Sequence, residues 1–303
     1  MAETSFNSKS TADEVLAGVD LTNRTILVTG CSGGIGLETM RALASHGAHV
    51  IGLARSLDSA QRACPKVDGT VTPVACDLSD LRSVEAATQF VLDRFRTVHV
   101  VVANAGITGT KERARRYGIE MQFLVNYLSH FLLVDRLLPI IPDATGRVVI
   151  VSSSASENQA PKEGILFENL DGHSGYSASK FYGHSKLALA IFAKELSRRL
   201  KSKGIAVNSL HPGAVRGTGL NRNIGFPLSA VLAIAQVFFK TPAQGAATQC
   251  LLAASPIVDG VTGGYWANCQ IAEGSVHLAD QQMAERLWNI SEELLMRNLR
   301  IAA

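Results

Sequence analysis

The chain has 303 residues, 18% charged and 47% hydrophobic, which is enough apolar material for a large core and too much for a disordered segment. A formal net charge of +3, with no block of Lys or Arg, excludes a nucleic-acid-binding arm. Five cysteines (Cys31, Cys64, Cys76, Cys250, Cys269), an odd number without CxxC spacing, exclude a disulfide framework and a zinc site.

The start, MAETSFNSKSTADEVLAG, is polar, with no apolar signal core and no membrane-length run. Residues 1–20 read as an N-terminal extension with one short helix at Thr11–Ala17. Without a signal peptide the sequon Asn23-Arg-Thr25 carries no weight, and the expectation is a soluble, cytoplasmic protein.

Apolar β-rich runs then alternate with helical patterns. The runs are TILVTG (25–30), HVIGLAR (49–55), TPVACDL (72–78), VHVVVANAG (98–106), RVVIVSS (147–153), IAVNSLHPG (205–213) and a weaker GGYWAN (263–268). Helical stretches fall at 34–46, 80–96, 118–138, 178–203, 241–254 and 280–299. Near-continuous apolar strands separated by helices imply a parallel sheet covered on both faces. Right-handed crossovers make it doubly wound. No repeat or linker divides residues 21–303, so they form one α/β domain of Rossmann type with about seven strands. The run FPLSAVLAIAQVFF, Phe226 to Phe239, is too short to span a bilayer. A core helix, a lid over a lipophilic substrate and a membrane-surface contact remain open for it.

The first strand runs into Gly30, Gly34 and Gly36 and then a helix, the TGxxxGxG spacing. Glycines let the backbone turn sharply and approach a pyrophosphate, while the helix N-terminus offers free N–H groups and the positive end of its dipole. Turns also use glycine for steric reasons alone, so the position between first strand and first helix gives the loop its meaning. At the end of the second strand a dinucleotide fold needs an acid for the ribose hydroxyls of NAD or a base for the 2′-phosphate of NADP. Ala54 and Arg55 stand there, which favours NADP(H) over NAD(H). The alternative is an ordinary surface arginine.

At this point the sequence resembles the short-chain dehydrogenase/reductase family, over nearly the whole span Leu21 to Leu299. The motifs are TGCSGGIG (29–36), CDLSD (76–80), ANAG (103–106), EMQFLVNYLSHFLLVDRLLP (120–139), VVIVSSSAS (148–156), Tyr-x-x-Ser-Lys and HPG (211–213). YGHSKLALAIFAKELSRRL and AERLWNISEELL are similar to its retinol-dehydrogenase-like and WW-domain-oxidoreductase-like branch, although no WW domain is present. The resemblance implies that Asn126, Ser153, one tyrosine and one lysine form the catalytic set, Ser153 being the second of three consecutive serines. It implies that Asp77 holds the adenine and that Asn104 lies beside the adenosine ribose and steadies the sheet edge. Gly30, Ser32, Gly34, Ile35, Gly36, Leu78, Ala105, Gly106, Pro212, Gly213 and Val215 complete the expected cofactor-binding set. A threonine expected near the nicotinamide amide is replaced by Gly217, which leaves Thr218 as the candidate. His130 and His211 read as structural. The segment around 214–240 would close over the substrate.

Such residue types suit hydride transfer. A tyrosine with a pKa near ~10 needs help to act near neutrality, and a neighbouring ammonium favours its phenolate. A serine hydroxyl can orient the substrate oxygen. The family's asparagine supports a water between lysine and solvent.

Two Tyr-x-x-Ser-Lys patterns compete within GYSASKFYGHSK, at Tyr176/Lys180 and Tyr182/Lys186. A strand from 205 to 212 climbs ~26 Å. The seventeen residues from Lys186 to Lys203 descend ~26 Å as a helix, whereas the twenty-three from Lys180 descend ~35 Å. Tyr176 and Tyr182, if both helical, stand ~120° apart and cannot address one carbonyl. Lys186-Leu187-Ala188 and the run Glu195 to Leu200 also match the branch. Tyr182 and Lys186 are therefore the expected pair for both chemistry and cofactor.

The reading is an NADP(H)-dependent alcohol dehydrogenase/carbonyl reductase acting on a lipophilic alcohol, aldehyde or ketone, as a homodimer or homotetramer, with neither nucleic acid nor a membrane span. A non-catalytic NADP-binding regulator, and an isomerase or dehydratase on the same fold, are the alternatives.

Overall fold

The computed structural model describes residues 4–109, 112–216 and 239–300. Five parallel strands come first to the sheet: β1 (Thr25–Thr29), β2 (His49–Ala54), β3 (Val71–Ala75), β4 (Val100–Ala103) and, after a two-residue hairpin of β5 (Arg115–Arg116) with β6 (Ile119–Glu120), β7 (Arg147–Val151). β8 (Ala206–His211) and β9 (Tyr265–Ala267) extend it in parallel, and β10 (Gln270–Ala272) closes the edge antiparallel. The sheet order is β10-β9-β8-β7-β4-β1-β2-β3, eight strands where the sequence suggests about seven.

Alternation within β1 shows how both faces are filled. Leu27 belongs to one core cluster, while Ile26 and Val28 belong to the other. Successive side chains point to opposite faces, so a strand buried on both sides must be apolar throughout. The Leu27 face meets the helices Leu81–Arg94, Ser129–Leu137, Ala178–Arg199 and Gln281–Arg300, and the other face meets Gly34–Ser45 and Pro242–Ala254. N-caps fix several starts. Asp80 accepts from Arg82 N, and Thr241 closes a reciprocal capping box with Gln244 just before a proline. The short helix of the extension, Ala12–Val15, has the same box from Thr11 and Glu14.

The stretch 118–138 begins with β6, and its helix, starting at Met121, widens into a π turn at Phe123–Leu128 before continuing as an α-helix from Ser129. In that turn Ser129 N donates to Leu124 O, five residues back. Phe123–Ile140 is apolar and long enough to cross a membrane by length and composition, but 72% of it is buried inside the fold, as a core element is.

β1 leads outward through β2 and β3, and β4 leads the other way through β7 and β8, so the order reverses between β1 and β4. In open α/β sheets ligands lie at the carboxyl ends of the strands at such a reversal. Gly30 follows β1 and Asn104 follows β4 at that place.

Candidate active site

The glycine turn fits a phosphate. Gly30 has φ +73° and Gly34 φ +56°, backbone that side chains rarely adopt. A Cβ on Gly36 would lie 2.3 Å from Gly30 O and 2.5 Å from Asn104 Nδ2, so turn and helix can meet only through glycine there. The helix N-cap, Gly33, supplies no side-chain acceptor, which leaves the first N–H groups of Gly34–Ser45 for an external anion. Ser32 and Gly33 are exposed beside them, and Ile35 is half-buried.

Thr29 ties this turn to β4. Its hydroxyl accepts from Asn104 N and Ala105 N, both at 2.9 Å, and its carbonyl accepts from Asn104 Nδ2 at 2.8 Å. Asp77 folds back on its own turn, accepting from Ser79 N and Oγ through Oδ1. Leu78 is buried and its carbonyl accepts from Ser129 Oγ at 2.6 Å. Arg55 is exposed just beyond β2 and makes no ion pair among the described residues.

Asn126, fully buried in the π turn, is held by its side chain. Oδ1 accepts from Ile107 N at 2.8 Å, and Nδ2 donates to Ile107 O at 3.0 Å and to Ser185 Oγ at 2.9 Å. Gly106 lies against it. A Cβ at Gly106 would be 3.3 Å from Asn126 Oδ1 and 3.4 Å from Lys186 Nζ.

Lys186 is 4% exposed and makes no ion pair among the described residues. Its ammonium donates to Val151 O at 2.8 Å and lies 5.9 Å from the centre of the Tyr182 ring. Burial pulls its pKa down to about 8. Burial pushes the Tyr182 phenol up, and the hydrogen bond with the Ser153 side chain opposes that. Of the three serines, Ser152 turns its hydroxyl to Lys186 O at 2.7 Å, Ser153 meets Tyr182, and Ser154 precedes the short helix Ala155–Asn158 without a side-chain cap.

The structure thus brings Asn126, Ser153, Tyr182 and Lys186 to one place at the carboxyl edge. Tyr176 is elsewhere. It bonds the side chain of Glu120 and packs on Phe181 with ring centres 5.2 Å apart. Pro212 and Gly213 follow β8, with Gly213 N donating to His211 Nδ1 at 3.1 Å. Val215 is buried and bridges Lys240, closing the neck of segment 217–238 through Arg216 N to Lys240 O and Lys240 N to Ala214 O. Thr218, the apolar stretch 226–238 and most of the expected lid lie outside the described residues.

Sequence reasoning missed several supports. Ser185 receives Asn126 Nδ2 and donates to Tyr182 O at 2.8 Å, which gives the serine of Tyr-x-x-Ser-Lys a physical reason. Ser156 and Tyr265 both donate to Ser153 O. A Cβ at Gly183 would lie 2.4 Å from Ala160 N, so the helix can approach the segment after Ser153 only with glycine there. The signal for Ser185 and Gly183 lay inside the motif itself; for Tyr265, far along the chain, there was none. Among the described residues no cluster of His, Cys, Asp and Glu could hold a metal.

A glycine turn at the sheet reversal, with Asn126, Ser153, Tyr182 and Lys186 gathered beside it, is an arrangement of Rossmann type that suits a dinucleotide-using oxidoreductase. Residues 24–226 match the family model for short chain dehydrogenase. The chain is 37% identical over 291 residues to retinol dehydrogenase 14 of Mus musculus, covering 90% of this chain and 86% of that one. It is 33% identical over 304 residues to the WW domain-containing oxidoreductase of Pongo abelii, covering 97% and 73%. The crystal structure of an uncharacterized protein from Mycobacterium Paratuberculosis superposes with a TM-score of 0.74 at 31% identity, over 94% of this chain and 96% of that one. The chain belongs to the short-chain dehydrogenase/reductase family. Its similarity runs to the retinol-dehydrogenase and WW-domain-oxidoreductase branch, and it is an oxidoreductase of that kind.

Proposed function

We propose that the protein is an NADP(H)-dependent carbonyl reductase and alcohol dehydrogenase for lipophilic alcohols, aldehydes or ketones. The observation that carries this reading is a buried lysine without a carboxylate partner among the described residues, beside a tyrosine that is itself bonded to a serine. Removing an ammonium from water is costly, and a purely structural lysine at this depth is normally paired. A proton relay gives the arrangement a use.

When bound, the nicotinamide supplies or accepts the hydride. Ser153 donates a hydrogen bond to the substrate oxygen and fixes it. In reduction Tyr182 gives its phenolic proton to the oxygen as the carbon receives hydride, and the phenolate draws a proton through Lys186. In oxidation the same proton moves back. Asn126 holds the wall opposite Lys186 through both bonds to Ile107. The turn Gly30–Gly36 would hold the pyrophosphate, Asp77 and Leu78 the adenine end, Asn104 to Gly106 the ribose, and Pro212, Gly213, Val215 and Thr218 the nicotinamide. Arg55, exposed and without an ion pair among the described residues, suits a 2′-phosphate, for which an acid would be repulsive. The apolar run Phe226–Phe239 supports a lipophilic substrate. The same reading has the protein in the cytoplasm as a homodimer or homotetramer.

The test follows nicotinamide absorbance with NADPH or NADH and a panel of apolar ketones and aldehydes. Oxidation of NADPH with matching alcohol formation is expected. Rearranged or dehydrated product with no net cofactor consumption would make it an isomerase or dehydratase, and tight NADPH binding with no turnover of any substrate a regulator. Arg55→Asp should move preference towards NADH by roughly tenfold or more; an unchanged ratio removes the argument for NADP.

A further inference from the structure

We propose that His130 is a positioning residue of this site: an imidazole that donates from Nδ1 and accepts at Nε2, and so braces the Asn126 carbonyl against the cofactor-side turn at Thr29. The proposal rests on the oxidoreductase reading above for the meaning of Asn126, and on hydrogen-bond geometry for everything else.

His130 is 0% exposed. Its Nδ1 lies 2.7 Å from Asn126 O. A carbonyl oxygen only accepts, so Nδ1 carries the proton. Nε2 is then an acceptor, and the Thr29 hydroxyl 2.9 Å away donates to it. That hydroxyl has one proton and two lone pairs. Asn104 N and Ala105 N donate to the lone pairs, so every capacity of Thr29 Oγ1 is used and the polarity of the chain is forced. It runs from the two amides after β4, through Thr29 and the imidazole, to the carbonyl in the π turn.

The imidazole cannot serve as a general acid or base. Burial lowers its pKa to about 4, and the nearby Lys186 charge acts in the same direction. Among the described residues no carboxylate acts on it from the packed elements. It therefore stays neutral through the physiological range.

The brace has a geometric purpose. In a regular α-helix the Asn126 carbonyl would pair with the amide of residue 130. Here the side chain of residue 130 also donates to it, and the carbonyl belongs to the turn where the helix widens. A carbonyl has two lone pairs, and on the reading above one of them would take a water between Asn126 and Lys186. His130 thus fixes the direction of that lone pair relative to the strand ends that hold the cofactor.

Three variants separate the two bonds. His130→Asn keeps a donor near the Nδ1 position, His130→Gln keeps an acceptor near the Nε2 position, and His130→Phe fills the space with neither. With His130→Phe, kcat is expected to fall roughly ten- to a hundredfold and the NADPH Kd to rise several-fold. His130→Gln should recover Kd but not kcat, and His130→Asn should recover kcat but not Kd. The limb of the pH–kcat profile set by Lys186 should move in the Phe and Gln variants and stay in Asn. Nitrogen NMR of the unmodified protein should show Nδ1–H and no titration of His130 between about pH 5 and 9.

An Nε2–H tautomer, equal losses in all three variants, or unchanged kcat and Kd in all three would overturn the proposal. If the variants do not fold, the NMR tautomer decides. If the unmodified protein turns over nothing, the oxidoreductase reading fails while the Kd and NMR results still judge the brace.

Discussion

The same five-letter pattern occurs twice within twelve residues, and its two copies sit in opposite surroundings. Tyr176 lies two residues ahead of the helix Ala178–Arg199, tied to Glu120 and Phe181. Ser179 is exposed, with Ser177 Oγ at 3.5 Å, and Lys180 is half-buried with no ion pair among the described residues. Six positions on, Tyr182 meets Ser153, Ser185 joins Asn126 to the helix backbone, and Lys186 is buried against Val151 O. The copies teach that the motif letters matter only where the helix has already entered the core. The helical-phase separation of the two tyrosines does not apply, because Tyr176 precedes the helix. What separates them is depth: the first turn stands at the surface, and the second packs so closely that only glycine fits at position 183.

The largest effect that could break this comparison belongs to the tyrosines. Tyr182→Phe should lower kcat/KM for carbonyl reduction about 10²- to 10⁴-fold, the range for losing a positioned acid. Tyr176→Phe should stay within about twofold of the unmodified protein, as expected for a group held by Glu120 and Phe181 ahead of the helix. The reverse pattern would transfer the chemistry to the first copy. Next come the serines. Ser185→Ala removes the acceptor for Asn126 Nδ2 and should cost about tenfold in kcat through the displaced asparagine. Ser179→Ala, on the surface, should leave both rate and melting temperature unchanged.

The fold was largely legible because its signal is coarse. Five of the strands are apolar runs buried on both faces, and the glycine turn stands where β1 ends. Two kinds of feature escaped. β10, β5 and β6 have three, two and two residues, too few to show a period of two. The π turn is a change in backbone pairing, and FLVNYLSHF has the same apolar pattern whether its carbonyls pair four or five residues ahead. The polar letters in that run were the available clue. Asn126 and His130, four apart inside an apolar helix, are both fully buried, and a buried polar pair must find partners. Which partners they find, Ile107 and Thr29, depends on chain contacts that no local pattern encodes.

The lysines give a comparison that titration can sharpen. Lys186 has its pKa lowered to about 8 by burial. Reduction consumes a proton, so its rate should hold below about pH 8 and fall as pH rises through that value. Oxidation should gain over the same interval. Lys186→Arg keeps its charge to far higher pH and should remove the limb from the accessible range, with a lower rate because the longer, planar group does not fit the pocket. Lys180→Arg should leave the profile as it was. A limb that persisted in Lys186→Arg would assign it to another group.

The smallest effect concerns what Tyr176 does contribute. Its hydroxyl bonds Glu120, a buried carboxyl that also accepts from Phe123 N at 2.9 Å. Burial raises the Glu120 pKa above its ordinary 4.5, and the tyrosine bond pulls it back. For a raised carboxyl the folded state holds more protons than the unfolded state. The stability it contributes is therefore present below about pH 4.5 and is lost as pH rises through the folded value. Tyr176→Phe removes one bond to the charged form, so the folded pKa climbs further and the loss extends over a wider pH interval. Denaturant unfolding should show a decrease of ~1–2 kcal/mol at pH 7 and a smaller one at pH 4. A difference independent of pH would mean that the ring packing on Phe181, and not the bond to Glu120, is what the first copy of the motif retains its tyrosine for.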